Sequence, residues 1–303
     1  MRKFFILLAL LFLIVSAIGF FSDFKKAVQS LEYFNTIYLV GAAIFGFGND
    51  FIKFFRWHLY IKKLRINVSF FTDLRIFLCG LAMSVTPVKF GYTIKNYIIE
   101  NITKTPFKKT LSATFAEIYV DFLVLSVISL LGMFYLKKFS VIGAILIVIV
   151  CVIFYPSVFK KIFIQLRTIL PYTIRKYYTV LKDMVSFFSI GLFGEVVLIT
   201  ILAWVSEGIS LHLILKGFGF NVDIIKTTII LGFATLAGSL SMLPGGLIVS
   251  DITLFGLLIY VGIPAYISLS ATILARICTL WLSVIVGNSA LFLNRKAFFG
   301  VKK

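Results

Sequence analysis

Acidic residues and histidines are scarce in this 303-residue sequence: twelve Asp and Glu face thirty Lys and Arg, and His58 and His212 are its two histidines. Neither histidine sits in a cluster with metal-ligand spacing. The three cysteines, Cys79, Cys151 and Cys278, lie far apart in apolar sequence and form neither a metal motif nor a disulfide framework. Metal and redox chemistry are therefore disfavoured, and no cofactor is expected. An ATP-binding motif and a nucleophile elbow are also missing. Charge is sparse at 14% of residues, and no separate domain, repeat array or low-complexity tail stands out.

What fills the chain is apolar: 60% of residues are hydrophobic and the mean hydropathy is +1.06. A soluble domain of this size does not have that composition, whereas an all-α, polytopic membrane bundle does. The net charge of +18 would suggest nucleic acid in a soluble protein. Here the basic residues fall mostly between apolar runs, so membrane topology and anionic headgroups explain them, and no nucleic-acid partner is expected. The six prolines and 21 glycines read as helix breaks and close helix packing. "GAAIFGFG", with Gly41, Gly46 and Gly48, is of the second kind.

Apolar runs predict six full spans, near 4–21, 36–55, 111–136, 139–156, 187–215 and 265–293. The first lacks a small-residue cleavage site and reads as an uncleaved helix, not a signal peptide. Two further runs are interrupted: 70–99 at Thr86–Pro87, and 227–262 at Leu243–Pro244–Gly245–Gly246. Residues 53–75 carry six Lys or Arg against one acid, residues 89–109 five against one, and residues 157–186 six against one. The tail adds Arg295, Lys296, Lys302 and Lys303. Placing every basic segment inside makes both termini cytoplasmic, in the cell membrane, and makes both interrupted runs re-entrant hairpins. The alternative is two ordinary kinked spans. The hairpin reading yields an inverted repeat, about 36–136 and 187–293, within a single membrane domain over 1–303.

Ionisable groups within apolar spans are costly and call for a reason. Glu117 and Asp121 lie four apart in "TFAEIYVDFLVL", on one helical face, where like charges repel unless a proton or a cation intervenes. The cations at hand are Lys89 and Lys95 after the first break and Arg276 in "ATILARICTLW". Asp251 follows the second break, and Glu195 and Glu207 are further candidates, Glu207 also as a boundary residue. These groups either staple the bundle by pairing or line a polar cavity, since irregular backbone at membrane depth needs protein or water around it.

"TPVKFGYTIKNYII", "AEIYVD", "LPGGLIVSD" and "ATILARI" occur in the order seen in the lysylphosphatidylglycerol synthase transmembrane-region family, flippase-like integral membrane proteins. The resemblance runs from about 37 to 293. Pro87, Gly91 and Lys95 match its Pro–Gly–basic pattern, Glu117 and Asp121 its acid pair, Pro244, Gly245 and Gly246 its second break, and Arg276 its arginine. Tyr92 replaces a common acid, Ile118 a frequent Arg, Ile248 a usual glycine and Asp251 a usual glutamate. The resemblance implies handling of polar lipids. Some relatives add a soluble aminoacyl-transfer or glycosyltransferase domain, which this sequence lacks, so the expectation is a non-enzyme.

Three functions follow. In the first, a translocase takes an anionic or phosphate-bearing lipid headgroup on Lys89, Lys95 and Arg276, with Glu117, Asp121 and Asp251 positioning those cations or binding an amine. The second is a non-catalytic subunit partnering a separate soluble synthase or glycosyltransferase. The third is a membrane-embedded lipid transferase.

Overall fold

A computed structural model of the protein describes residues 24–86, 91–135 and 178–300. The expected spans 4–21 and 139–156, most of the basic segment 157–186, Pro87, Lys89, Lys302 and Lys303 lie outside the described residues.

Among the described residues every regular element is helical: α1 (Phe24–Glu32), α2 (Ile37–Lys63), α3 (Phe70–Leu81), α4 (Ile94–Thr103), α5 (Phe107–Tyr135), α6 (Tyr178–Ser186), α7 (Ile190–Gly217), α8 (Ile224–Leu240), α9 (Val249–Tyr260), α10 (Ala265–Arg276) and α11 (Leu282–Phe299). Among the described residues four helical stretches are long and apolar enough to cross a membrane: Ile37–Lys63, Phe107–Met133, Gly191–Gly217 and Ala265–Phe299. The last joins α10 and α11 through a π turn, Ile277–Trp281. Local chemistry sets several starts. The Ser69 hydroxyl accepts from the Thr72 N–H, and the Asp223 carboxylate from the Ile225 N–H, satisfying donors that a helix N-terminus leaves open.

The polarity of the molecule is that of a membrane bundle. Leu131, Leu198, Ile285 and Phe292 face outward, while Asn49, Lys53, Arg56, Lys95 and Glu117 are buried.

Helix directions follow from side-chain pairings. Along α2 and α7, Ala42 O meets Ser210 Oγ at 2.7 Å, Asn49 Nδ2 meets Ala203 O at 2.8 Å, and Arg56 Nη1 meets Thr200 Oγ1 at 2.7 Å, so these helices are antiparallel. The Asp50 carboxylate accepts from the Ser283 hydroxyl, and Gly46 lies against the Cys278 carbonyl, so the α10–α11 helix runs parallel to α2. Asn101 donates to Phe298 O at 3.3 Å and Tyr97 stacks on Phe299, which puts the ends of α4 and α11 together. The pair α3–α4 thus starts and finishes at the end of the bundle where α2 finishes. The pair α8–α9 does so at the other end: α8 starts just after α7, and α9 leads into α10 beside α1, where Ser270 Oγ donates to Ala27 O at 3.0 Å.

Each break thus separates a pair of helices, a hairpin whose outer ends lie together at one end of the bundle, opposite ends for the two pairs. A Cβ on Gly245 would lie 3.5 Å from Val85 Cα, so the two breaks lie side by side. At the first break α3 ends at Leu81 and turns cover 82–86, which include Thr86, while Pro87 lies outside the described residues. Gly287 lets this end of α3 come close to α11, since the backbone at Leu81 and Ala82 occupies the space where a Cβ would stand.

Candidate functional site

The largest difference from the sequence reading is in α2. Its expected end near 55 is wrong: the helix continues to Lys63, and Lys53 and Arg56, counted above as loop charges, are buried. Asn49, Lys53, Arg56 and Tyr60 recur at helical spacing and face inward together. That spacing in "NDFIKFFRWHLY" is the signal in the sequence that could have placed them on one helical face. Lys62, Lys63 and Arg65 remain exposed, so the end of the helix is still basic.

Arg56 and Lys53 supply the cations for one acid. Arg56 Nη1 donates to Asp121 Oδ1 at 2.8 Å, and Lys53 Nζ stands 3.8 Å from the same oxygen and 3.9 Å over the Trp204 ring. Glu117, one turn earlier, takes a different partner. Lys95 Nζ donates to Glu117 Oε2 at 2.6 Å from a cage of rings, 3.8 Å from Trp57 and 4.9 Å from Phe77. Gly80 makes room for this lysine: a Cβ there would lie 2.6 Å from Lys95 Cγ. The repulsion foreseen between Glu117 and Asp121 is thus resolved by two separate ion pairs. A third polar group backs them, where Asp73 accepts from Trp57 Nε1 at 2.8 Å and meets His58 Nδ1 at 2.6 Å.

The second break has its own ion pair. Arg276 Nε donates to Asp251 Oδ1 at 2.5 Å, and Asp251 Oδ2 accepts the Ile248 N–H at 3.0 Å. Ile248 lies at φ 72°, ψ −66°, a conformation that a β-branched residue rarely takes. The resemblance puts glycine there, and the backbone explains why.

Between the two tips lies a cavity of about 460 Å³, within the range of small-ligand sites. Ser84 and Thr86 of the first break line it, as do Met242, Leu243, Gly245 and Gly246 of the second. Among the described residues its charged wall is Lys53, Arg276, Asp50, Asp121 and Glu207, and its apolar wall includes Phe122, Leu125 and Leu280. A hole of about 10 Å³, room for one water, adjoins it and is lined by Arg56, Glu117 and Asp121 among others.

Of the residues picked from the sequence, Asp121, Arg276, Gly245, Gly246 and Glu207 reach the cavity wall. Glu117 reaches the small hole only, Lys95 is sealed at 1% exposure, and Asp251 touches the cavity through Arg276. Pro244 opens the second tip, and Gly91 packs against Met83 and donates to Thr86 Oγ1 at 2.6 Å across the first. Glu195 is exposed on α7. Tyr92 and Ile118, the two places where charge is lost relative to the resemblance, face each other's neighbourhood in both cavities.

The family described as Lysylphosphatidylglycerol synthase TM region matches residues 4–287. Two curated matches are UPF0104 membrane proteins of Methanothermobacter thermautotrophicus. One is 30% identical over 94 residues, 31% of this chain and 28% of that protein. The other is 21% identical over 296 residues, with 87% of each chain covered.

Proposed function

The chain belongs to the lysylphosphatidylglycerol synthase transmembrane-region family of integral membrane proteins, and from that premise we propose that it moves a polar, phosphate-bearing lipid between the leaflets of the cell membrane. The observation that carries this reading is the cavity of about 460 Å³ lined by residues of both breaks. Paired broken helices with a site between them are the architecture of transporters built on inverted repeats. On this reading the repeats are about 36–136 and 187–293, both hairpins are re-entrant, and the basic end of the bundle faces the cytoplasm with both termini.

The headgroup enters the cavity while its chains stay in the bilayer. Arg276 meets the phosphate: the residue lines the cavity, and its Nη2 is buried without a hydrogen-bond partner among the described residues. Among the described residues the wall carries two cations, Lys53 and Arg276, against three acids, Asp50, Asp121 and Glu207. A headgroup that also donates, through hydroxyl or amine groups, suits that balance better than a bare anion. Lys95 and Glu117 act from behind, holding the first hairpin to α5.

Reconstitution in liposomes with labelled phosphatidylglycerol and polyprenyl-phosphate lipids tests the proposal. Expected is movement faster than in protein-free liposomes, reduced about tenfold or more by Arg276→Ala, the loss of one charge-assisted contact. Movement no faster than the protein-free control, or unchanged in Arg276→Ala, refutes it.

A further inference from the structure

The tip of the second hairpin is strained where it borders the cavity. Four of the seven residues from Met242 to Ile248 have positive φ: Met242 at 53°, Gly245 at 62°, Gly246 at 64° and Ile248 at 72°. Glycine takes such angles freely, but methionine and isoleucine do not. Ile248 is the centre of a γ-turn, closed by the Val249 N–H on Leu247 O at 3.0 Å. Strain of this kind persists only where surrounding contacts hold it, and it concentrates in switching segments.

Asp251 is the contact that holds it. One carboxylate oxygen caps the Ile248 N–H and the other takes Arg276 Nε. The side edge of the Arg276 guanidinium is a fork of two donors, Nε and Nη2, shaped for two oxygens of one oxyanion. Asp251 uses half of it. The other half, Nη2, is buried and has no hydrogen-bond partner among the described residues. Arg276 also ends α10 where the π turn begins, a local rearrangement of the helical ladder of the kind found at functional sites.

We propose that the second hairpin tip is a gate released by anion binding at Arg276. This rests on the cavity being a lipid headgroup site. A phosphoryl group entering the cavity takes both donors of the fork and displaces Asp251 from Nε. The carboxylate, no longer oriented by Arg276, loosens its cap on Ile248, and the strained turn relaxes. The anion binds the relaxed state better because only there is the whole fork free, which is the differential affinity that a ligand-driven shift requires.

The probe is a cysteine at Met242, exposed at the tip, in a full-length chain with Cys79, Cys151 and Cys278 changed to Ser. Its reaction rate with a polar maleimide is followed in phosphatidylcholine nanodiscs, in nanodiscs containing phosphatidylglycerol, and in phosphatidylcholine nanodiscs with inorganic phosphate. Binding of phosphatidylglycerol is measured in parallel by native mass spectrometry. The expected result is a rate raised roughly threefold or more by anion. Asp251→Asn, which releases Nε without an anion, loses the response. Ile248→Gly, free of strain, requires roughly tenfold more anion for the same response. A response to phosphate alone assigns the site to any phosphoryl anion, and a response confined to phosphatidylglycerol assigns it to the lipid headgroup. Arg276-dependent binding without a change at Met242, or a response that survives Asp251→Asn, overturns the gate. A gate that responds in a protein that moves no lipid sinks the transport reading alone. Absence of Arg276-dependent binding sinks both.

Discussion

Arg56 shows how one side chain is committed by its surroundings. It is 1% exposed, with Asp121 and Thr200 both on Nη1. Removing one member of a buried ion pair strands the other charge, at a cost of about 3–5 kcal/mol, whereas replacing both by apolar groups of similar volume is often neutral. Arg56→Met leaves Asp121 with Lys53 and is expected to lower the unfolding temperature in detergent, whereas Asp121→Leu takes the carboxylate from both Arg56 and Lys53 and is expected to lower it further. A smaller loss in Asp121→Leu than in Arg56→Met would contradict the shared pairing. Ile248 predicts the opposite sign. Glycine removes the steric penalty at φ 72° and gives back part of the gain as chain entropy, so Ile248→Gly is expected to stabilise by about 1 kcal/mol in denaturant titration.

At the scale of elements, small residues determine how closely helices approach. A Cβ on Gly287 would strike the backbone at Leu81 and Ala82, and one on Gly46 the Cys278 carbonyl. Backbone cannot move aside as a flexible side chain can, so Gly287→Leu has to push α11 from the first hairpin. The expected loss is about 2 kcal/mol or more. Gly256, with open space around it, is the matched control, and Gly256→Leu is expected to change stability little. Similar unfolding curves for the two variants would refute the close approach. The pattern "GAAIFGFG" announced packing of this kind at Gly46. The partner of Gly46 was not legible, because a glycine says that something comes near without saying what.

The whole molecule predicts its own labelling pattern. Arg65 and Lys104 bound the first hairpin at the end where α2 finishes, while Gly219 and Gly262 bound the second at the opposite end. With single cysteines at these four positions in a chain freed of its own cysteines, an impermeant maleimide added to intact cells is expected to label the Gly219 and Gly262 sites. The Arg65 and Lys104 sites should react only after the membrane is opened. Labelling that splits either pair would mean that the broken segment crosses the membrane fully.

The sequence by itself determined the membrane class, the four long helices among the described residues, and both interruptions. Hydropathy and chain-breaking residues act locally and can be read in order. It also singled out Glu117, Asp121, Asp251 and Arg276, because an ion in an apolar run is conspicuous wherever it ends up. Only the tertiary structure decided who pairs with whom. Lys53 and Arg56 looked like loop charges until α2 carried them inward to Asp121, and Lys95 reaches Glu117 only because Gly80 makes room for it. Trp204 and Glu207, on a helix far along the chain, join the cavity through the antiparallel packing of α2 and α7. Ion pairing depends on positions brought together by packing, and a linear pattern does not contain those distances.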